Sequence, residues 1–289
     1  MLLRSLVTHW IQQQARTTLQ ETLSQRANES VSAEEATSQP ISLVVQFALG
    51  IESAGLHDLL EGRVRAHLGE LPVVVGNLGP VRVACVDGGV GRIKALAATE
   101  RILTHIKPAM LISAGFAGGL VSGLRKGNVV VADEVLNEAE DRFPLTLPGP
   151  RDQLAAAKGV HVGRLLTVDR IIREPAEKKQ LGERLEAIAV DMETFAVAKV
   201  CAQHETPLLS IRIISDSVDQ PLPRHLERLV QQKTTSRMLG AAAAAIFNKP
   251  SSIKEMFDLH GTAVKASDSL ASFLAGIIPQ LELPESSEG

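Results

Sequence analysis

The chain has 289 residues, 45% of them hydrophobic, and 30 Lys and Arg against 33 Asp and Glu leave a formal net charge of −3. That length suits one large domain with extensions and ample core, while the charge and the lack of a basic run speak against a general nucleic-acid binder. With no Tyr, one Trp and seven Phe, there is little material for a platform that stacks single strands.

In chain order, residues 1–25 form a candidate amphipathic helix, with Leu2, Leu3, Leu6, Val7, Trp10 and Ile11 on one side. Arg4 and His9 interrupt it, it is too short for a membrane span, and no signal-peptide cleavage region follows. Contact of residues 1–25 with a membrane surface is conceivable, but docking on the parent domain or a partner subunit is the favoured expectation. The polar stretch Arg26–Pro40 reads as a linker. The chain divides accordingly into residues 1–40, a domain over 41–249 and a helical extension over 250–289.

The domain opens with a strand over Ile41–Val45, a turn at Gly50 and a new segment at Glu52, which on local grounds alone is a solvated helix start. Val73–Val75 and Val81–Val86 suggest a hairpin around Gly76–Pro80. Gly88, Gly89 and Gly91 then allow a tight turn and close backbone approach to a ligand. Lys94 stands where a GxGxxG pattern needs its last glycine and no GK[ST] exists, so dinucleotide and P-loop readings fail. After a strand over Met110–Ser113, Gly115-Phe116-Ala117-Gly118-Gly119 reads as a second turn, one glycine or more at positive φ, with N–H groups for an anion, a water or a sugar hydroxyl. Further strands are expected over Asn128–Ala132 and Val160–Val168, separated by a Pro-rich loop after Asp133 and Glu134.

Ala187–Val190 reads as a strand and Met192–His204 as a helix, with Phe195, Val197, Val200 and Cys201 at helical spacing. Asp191 and Glu193 lie at that junction. Capping accounts for either carboxylate, but two acids around Met192 suit a sugar as well: a carboxylate accepts from a ribose diol while Met covers the apolar face. Leu208, Leu209, Ile211, Ile213 and Ile214 form a buried strand that carries Arg212 inside it and Asp216 at its C-terminal end. That end is where ligands bind in open α/β sheets, although a purely structural Arg–Asp pair fits the same pattern. A long helix over Pro221–Phe247 is broken at Pro250, and Ser252–Ile278 suggests another through Ile253, Phe257, Val264, Leu270 and Phe273. Cys85 and Cys201 read as core residues of a reduced, cytoplasmic protein. The eight histidines show no metal-binding spacing.

The run VDMETFAVAKVCAQHETPLLSIRIISDSVDQ at 190–220 resembles the signature of the nucleoside phosphorylase and nucleosidase superfamily, especially its methylthioadenosine/S-adenosylhomocysteine nucleosidase branch. CVDGGVGRIKALAATERIL at 85–103 and KPAMLISAGFAGGLVSGLRKGNVVVADEV at 107–135 resemble the same family, in family order, within a likeness over about residues 41–249. The resemblance implies an α/β fold, a three-layer α/β/α sandwich with a mixed central sheet, and a homodimer in the cytoplasm. It implies cleavage of an adenine nucleoside, a small-molecule partner, with a place in methionine salvage and neither metal nor organic cofactor. Asp216 would donate to purine N7, Glu52 would activate water, Glu193 would hold the ribose hydroxyls, Met192 would pack on the sugar and Arg212 would orient Glu52 and the nucleophile. Gly115 and Phe116 belong to the site's glycine turn; Phe116 replaces a Ser of the nucleosidases. Ile171 and Ile172 stand where those enzymes stack a Phe on adenine, so π stacking is lost there. The Pro-rich loop also lacks their aromatic-rich segment.

Breaking an N-glycosidic bond leaves an oxocarbenium-like sugar and a purine anion, so two carboxylates can divide the work as in inverting glycosidases. The three acids, far apart in the chain, are expected to meet around one sugar. Hydrolysis is the leading expectation. Phosphorolysis, with phosphate as co-substrate, is the alternative, because Asp169–Lys178 and the tail from Asn248 resemble hopanoid-associated phosphorylases; the substrate could then be a lipid-linked adenosine such as adenosylhopane. A non-catalytic nucleoside-binding protein is the third reading.

Overall fold

The computed structural model describes residues 40–222 and 250–283, with side chains of the final helix from 263 onward. The expected helices over 1–25 and over most of Pro221–Phe247, and the linker before Pro40, lie outside the described residues. Strand β1 (Leu43–Phe47) is buried at every position, as a strand covered on both faces must be. Its side chains alternate: Leu43, Val45 and Phe47 enter one apolar cluster, and Val44 enters another.

Helix α1 (Gly50–Leu59) follows, then β2 (Glu61–Leu68), β3 (Leu71–Leu78), β4 (Val81–Asp87), α2 (Arg92–His105) and β5 (Met110–Gly119). Next come β6 (Val129–Leu136), β7 (Arg142–Pro144), α3 (Arg151–Ala156), β8 (Val160–Thr167), α4 (Pro175–Leu185), β9 (Ala187–Asp191), α5 (Thr194–Gln203), β10 (Leu208–Asp216) and α6 (Pro250–Ile277). The sheet runs β10-β6-β8-β9-β5-β1-β4-β3-β2, with β7 attached to β6. Leu56 of α1 and Leu270 and Leu274 of α6 cover one face, while Ala95 and Ile102 of α2 and Val197 and Val200 of α5 cover the other. The result is a three-layer α/β/α sandwich around a mixed sheet. Among the described residues no helix is long and apolar enough to cross a membrane.

Strand β5 organises the site. It pairs in parallel with β1 at its start and with β10 along most of its length, and Gly118 and Gly119 pair antiparallel with β9. These pairings close β5, β10, β6, β8 and β9 into a ring. Because β1, β4, β5 and β10 are parallel, their C-terminal ends share one edge.

Several expectations need correction. Gly115–Gly119 is strand, not turn: Gly115 pairs with Arg212 and Gly118 with Asp216. The glycines serve close packing, since a Cβ on Gly115 would lie 2.7 Å from Glu52 Oε1 and one on Gly118 3.2 Å from Asp216 Oδ2. Gly76 belongs to β3, where a Cβ would meet that of Leu60 at 2.8 Å, and the hairpin turns at Gly79-Pro80. Gly50 opens α1 instead of forming a separate turn, and Asp133 and Glu134 lie within β6. The expected final helix is present as α6, with Leu270 buried and Val264 40% exposed. It docks on the helix that carries Glu52: Ser267 Oγ accepts from Gly55 N at 3.2 Å and donates to Glu52 O at 3.4 Å.

Candidate active site

Glu52 lies in the first turn of α1, directly after β1, and its carboxylate is buried. Oε2 accepts from Ala48 N at 3.0 Å and Leu49 N at 2.9 Å; Oε1 accepts from Phe116 N at 2.8 Å on β5. Burial raises its pKa above the ordinary carboxylate value, and the backbone N–H bonds and the Arg212 charge pull it back. Of the backbone N–H groups in the Gly115 stretch, that of Phe116 is taken by this side chain.

At the β9–α5 junction the two acids have separate duties. Asp191 serves the start of α5: its Oδ2 accepts from Thr194 N at 3.1 Å and from the Thr194 hydroxyl. Asp191 also takes Thr167 Oγ1 at 2.6 Å and the guanidinium of Arg212, Nη2 at 2.9 Å and Nε at 3.1 Å. Arg212 Nη2 donates further to Ser113 Oγ at 2.7 Å and Thr194 Oγ1 at 2.5 Å. Arg212 is therefore held by Asp191 and its hydroxyl neighbours, and it acts on Glu52 through its charge and not by gripping it. Glu193 makes no cap bond; its Oε1 reaches across to Gly91 N at 2.7 Å, at the turn into α2. Gly91 has φ +89, a conformation that favours glycine.

Burial, then the negative charge of Asp191, with a further push from Glu52, drives the Glu193 carboxyl up to about 8. Between the ordinary value of 4.5 and about 8 the folded protein keeps a proton that the unfolded chain has lost, so this group's contribution to stability falls as pH rises through that window and levels off above it. Glu193→Gln is expected to abolish that slope and to melt at a higher temperature than wild type near pH 9, where the wild-type carboxylate is charged and enclosed. Thermal melts across the pH range check it; a wild-type slope retained by the variant contradicts it.

Glu52, Glu193 and Arg212 line one cavity of about 10 Å³, together with Gly115 and Phe116, the room of about one water centre. Asp216 does not line it, which corrects the expectation that all three acids meet there. A register shift in β10 between Ile214 and Asp216 carries the last side chain beside Gly118, and Lys178 of α4 donates to its Oδ2. Met192 is half-buried beside Glu193 and outside the cavity wall. Ile171 is half-buried and also outside that wall. Ile172 packs with Leu166, Leu181 and Leu185 in a separate apolar cluster, so its side chain is core.

Sequence reasoning missed Lys178, Ser113, Thr167 and Thr194 as parts of the site. Lys178 did carry a signal: it lies three residues before Leu181 and seven before Leu185, on the buried stripe of α4, where a cation needs a partner. The hydroxyls carried none, since Ser and Thr in strands and at helix starts are ordinary.

An α/β/α sandwich thus carries Glu52 and Asp216, both buried, beside the C-terminal half of β5. Residues 42–248 match the family model of the phosphorylase superfamily, and the chain belongs to that superfamily. Among solved structures, the 5′-methylthioadenosine/S-adenosylhomocysteine nucleosidase of Neisseria meningitidis, in complex with methylthio-immucillin-A, aligns at 22% identity and a TM-score of 0.64, over 83% of this chain and 100% of that one. The Streptococcus pneumoniae MTA/SAH nucleosidase, in complex with 8-aminoadenine, aligns at 18% identity and a TM-score of 0.63, over 83% and 100%. Futalosine hydrolase of Helicobacter pylori strain 26695 aligns at 16% and 0.63, over 83% and 97%. At these identities the structural likeness speaks for the fold alone.

Proposed function

We propose that this protein hydrolyses the N-glycosidic bond of an adenine nucleoside, with Glu52 as the base toward water and Asp216 as the acid toward the purine. The observation that carries the reading is that two buried carboxylates border β5: Glu52 packs on Gly115 and Asp216 on Gly118, so a candidate base and a candidate acid flank one strand.

Charge and volume support water as the nucleophile. Among the described residues that line the cavity Arg212 is the cation, and Asp191 already pairs with it. A phosphate dianion would find no unpaired positive charge in that lining, whereas about 10 Å³ accommodates a water. In the reaction the C1′–N9 bond breaks with its electrons going to the base, N7 takes a proton through Asp216, and water forms the C1′–O bond as its proton passes to Glu52. Glu193, bonded to the Gly91 backbone beside the same cavity, is suited to the ribose hydroxyls. The names of the structural relatives support an adenine nucleoside with a 5′-thio substituent as the first substrate to try.

The test is to incubate the protein with methylthioadenosine, with and without phosphate, and identify the sugar. Free methylthioribose at a rate indifferent to phosphate is the expected product. A ribosyl phosphate formed only with phosphate present would replace this reading with phosphorolysis, and no cleavage across a panel of purine nucleosides would leave a binding protein.

A further inference from the structure

We propose that Lys178 is the proton source behind Asp216, a positioning residue that supplies through that carboxylate the proton the departing purine takes; this rests on the hydrolase reading above. Lys178 is 0% exposed, and a lysine is almost never fully buried without a partner. Its ammonium has three N–H bonds and three acceptors: Asp216 Oδ2, Ser217 O at 3.1 Å and Gln220 O at 2.9 Å. Ser215 Oγ lies 2.6 Å from the other carboxylate oxygen, Oδ1, and donates to it. Both oxygens of the candidate acid are thus held by donors, one of them a cation.

In an ion pair the transferable proton resides on nitrogen, so acid chemistry at Asp216 begins at Lys178. As the C1′–N9 bond lengthens and N7 gains electron density, one N–H bond of Lys178 breaks, an O–H bond on Asp216 forms and breaks in turn, and an N–H bond forms on N7. Lys178 is left as a neutral amine and regains a proton from water after the base departs. The proton released by the attacking water and taken by Glu52 balances the exchange. A tether between α4 and the 217–220 turn would need only the two carbonyls. Spending the third N–H on the acid itself is what a proton relay requires.

The experiment compares two substrates that differ in their need for a proton. Adenine leaves methylthioadenosine protonated, whereas nitrophenolate leaves p-nitrophenyl riboside without one. Lys178→Met and Lys178→Arg are each expected to lose about 100-fold or more in kcat on methylthioadenosine, the scale of general acid catalysis. On the nitrophenyl riboside the loss is expected to stay under about 5-fold, because that step uses no acid. Arginine keeps the positive charge but does not release a proton, so it separates a relay from a mere counter-ion. Lys178→Arg keeps the charge beside Asp216; should Lys178→Met fail to fold, the arginine variant is read alone and is expected to show the same selective loss. Equal losses on both substrates, or recovery of methylthioadenosine cleavage by arginine, overturn the proposal. A wild-type protein inactive on both overturns the hydrolase reading beneath it.

Discussion

Glu52→Gln is expected to lower kcat on methylthioadenosine by about 10²–10⁴-fold, the range for removing a general base, while the protein remains folded. The carboxylate accepts three backbone N–H bonds, two on one oxygen and one on the other. An amide replaces one of those oxygens with a donor, so either Phe116 N or the Ala48 and Leu49 pair faces another N–H. Leaving such groups unpaired costs about 1–3 kcal/mol each, and removing a buried charge offsets part of that. The fold therefore survives and the chemistry does not. Steady-state kinetics beside a thermal melt check both halves, and a variant that turns over at the wild-type rate would take Glu52 out of the reaction.

Arg212→Met is expected to cost about 3–5 kcal/mol of stability, the scale for removing one partner of a buried ion pair, which lowers Tm by roughly 10 °C in a domain of this size. Asp191 would keep Thr167 and Thr194 as donors but lose the charge that compensates its own. Asp191→Asn with Arg212→Met removes both charges and is expected to restore part of the loss. Kinetics should respond too. The Arg212 charge restrains the upward shift of the Glu52 carboxyl, so its removal lets that pKa rise further and moves the acid limb of the pH profile to higher pH. An unchanged limb would mean that Arg212 serves structure alone.

The contrast between the two acids beside Met192 shows where local reasoning stops. Both capping and ligand binding fit the pattern at residues 191–193, and the structure gives the two acids different partners: Asp191 takes Thr194 N and Glu193 takes Gly91 N. No local rule divides those roles, because the deciding partner, the Gly91 turn, arrives from another strand end. The glycine run at 115–119 shows the same limit from the opposite side. Its composition suits a turn, yet β10 and β9 supply partners that make it strand, and its small residues leave room for Glu52 and Asp216.

What the amino-acid sequence determined by itself is what depends on neighbours along the chain: the buried strands of Val, Ile and Leu, the helix after Asp191, the breaks at Gly and Pro, and the presence of Arg212 and Asp216 within an apolar run. These follow from periodicity and backbone preference, which act over a few residues. The tertiary structure decided which partner each charge received, across 64 residues for Glu52 and Phe116, 102 for Glu193 and Gly91, and 38 for Asp216 and Lys178. A buried charge is stable only where donors or an opposite charge meet it, and those partners come together only when the strands close around β5.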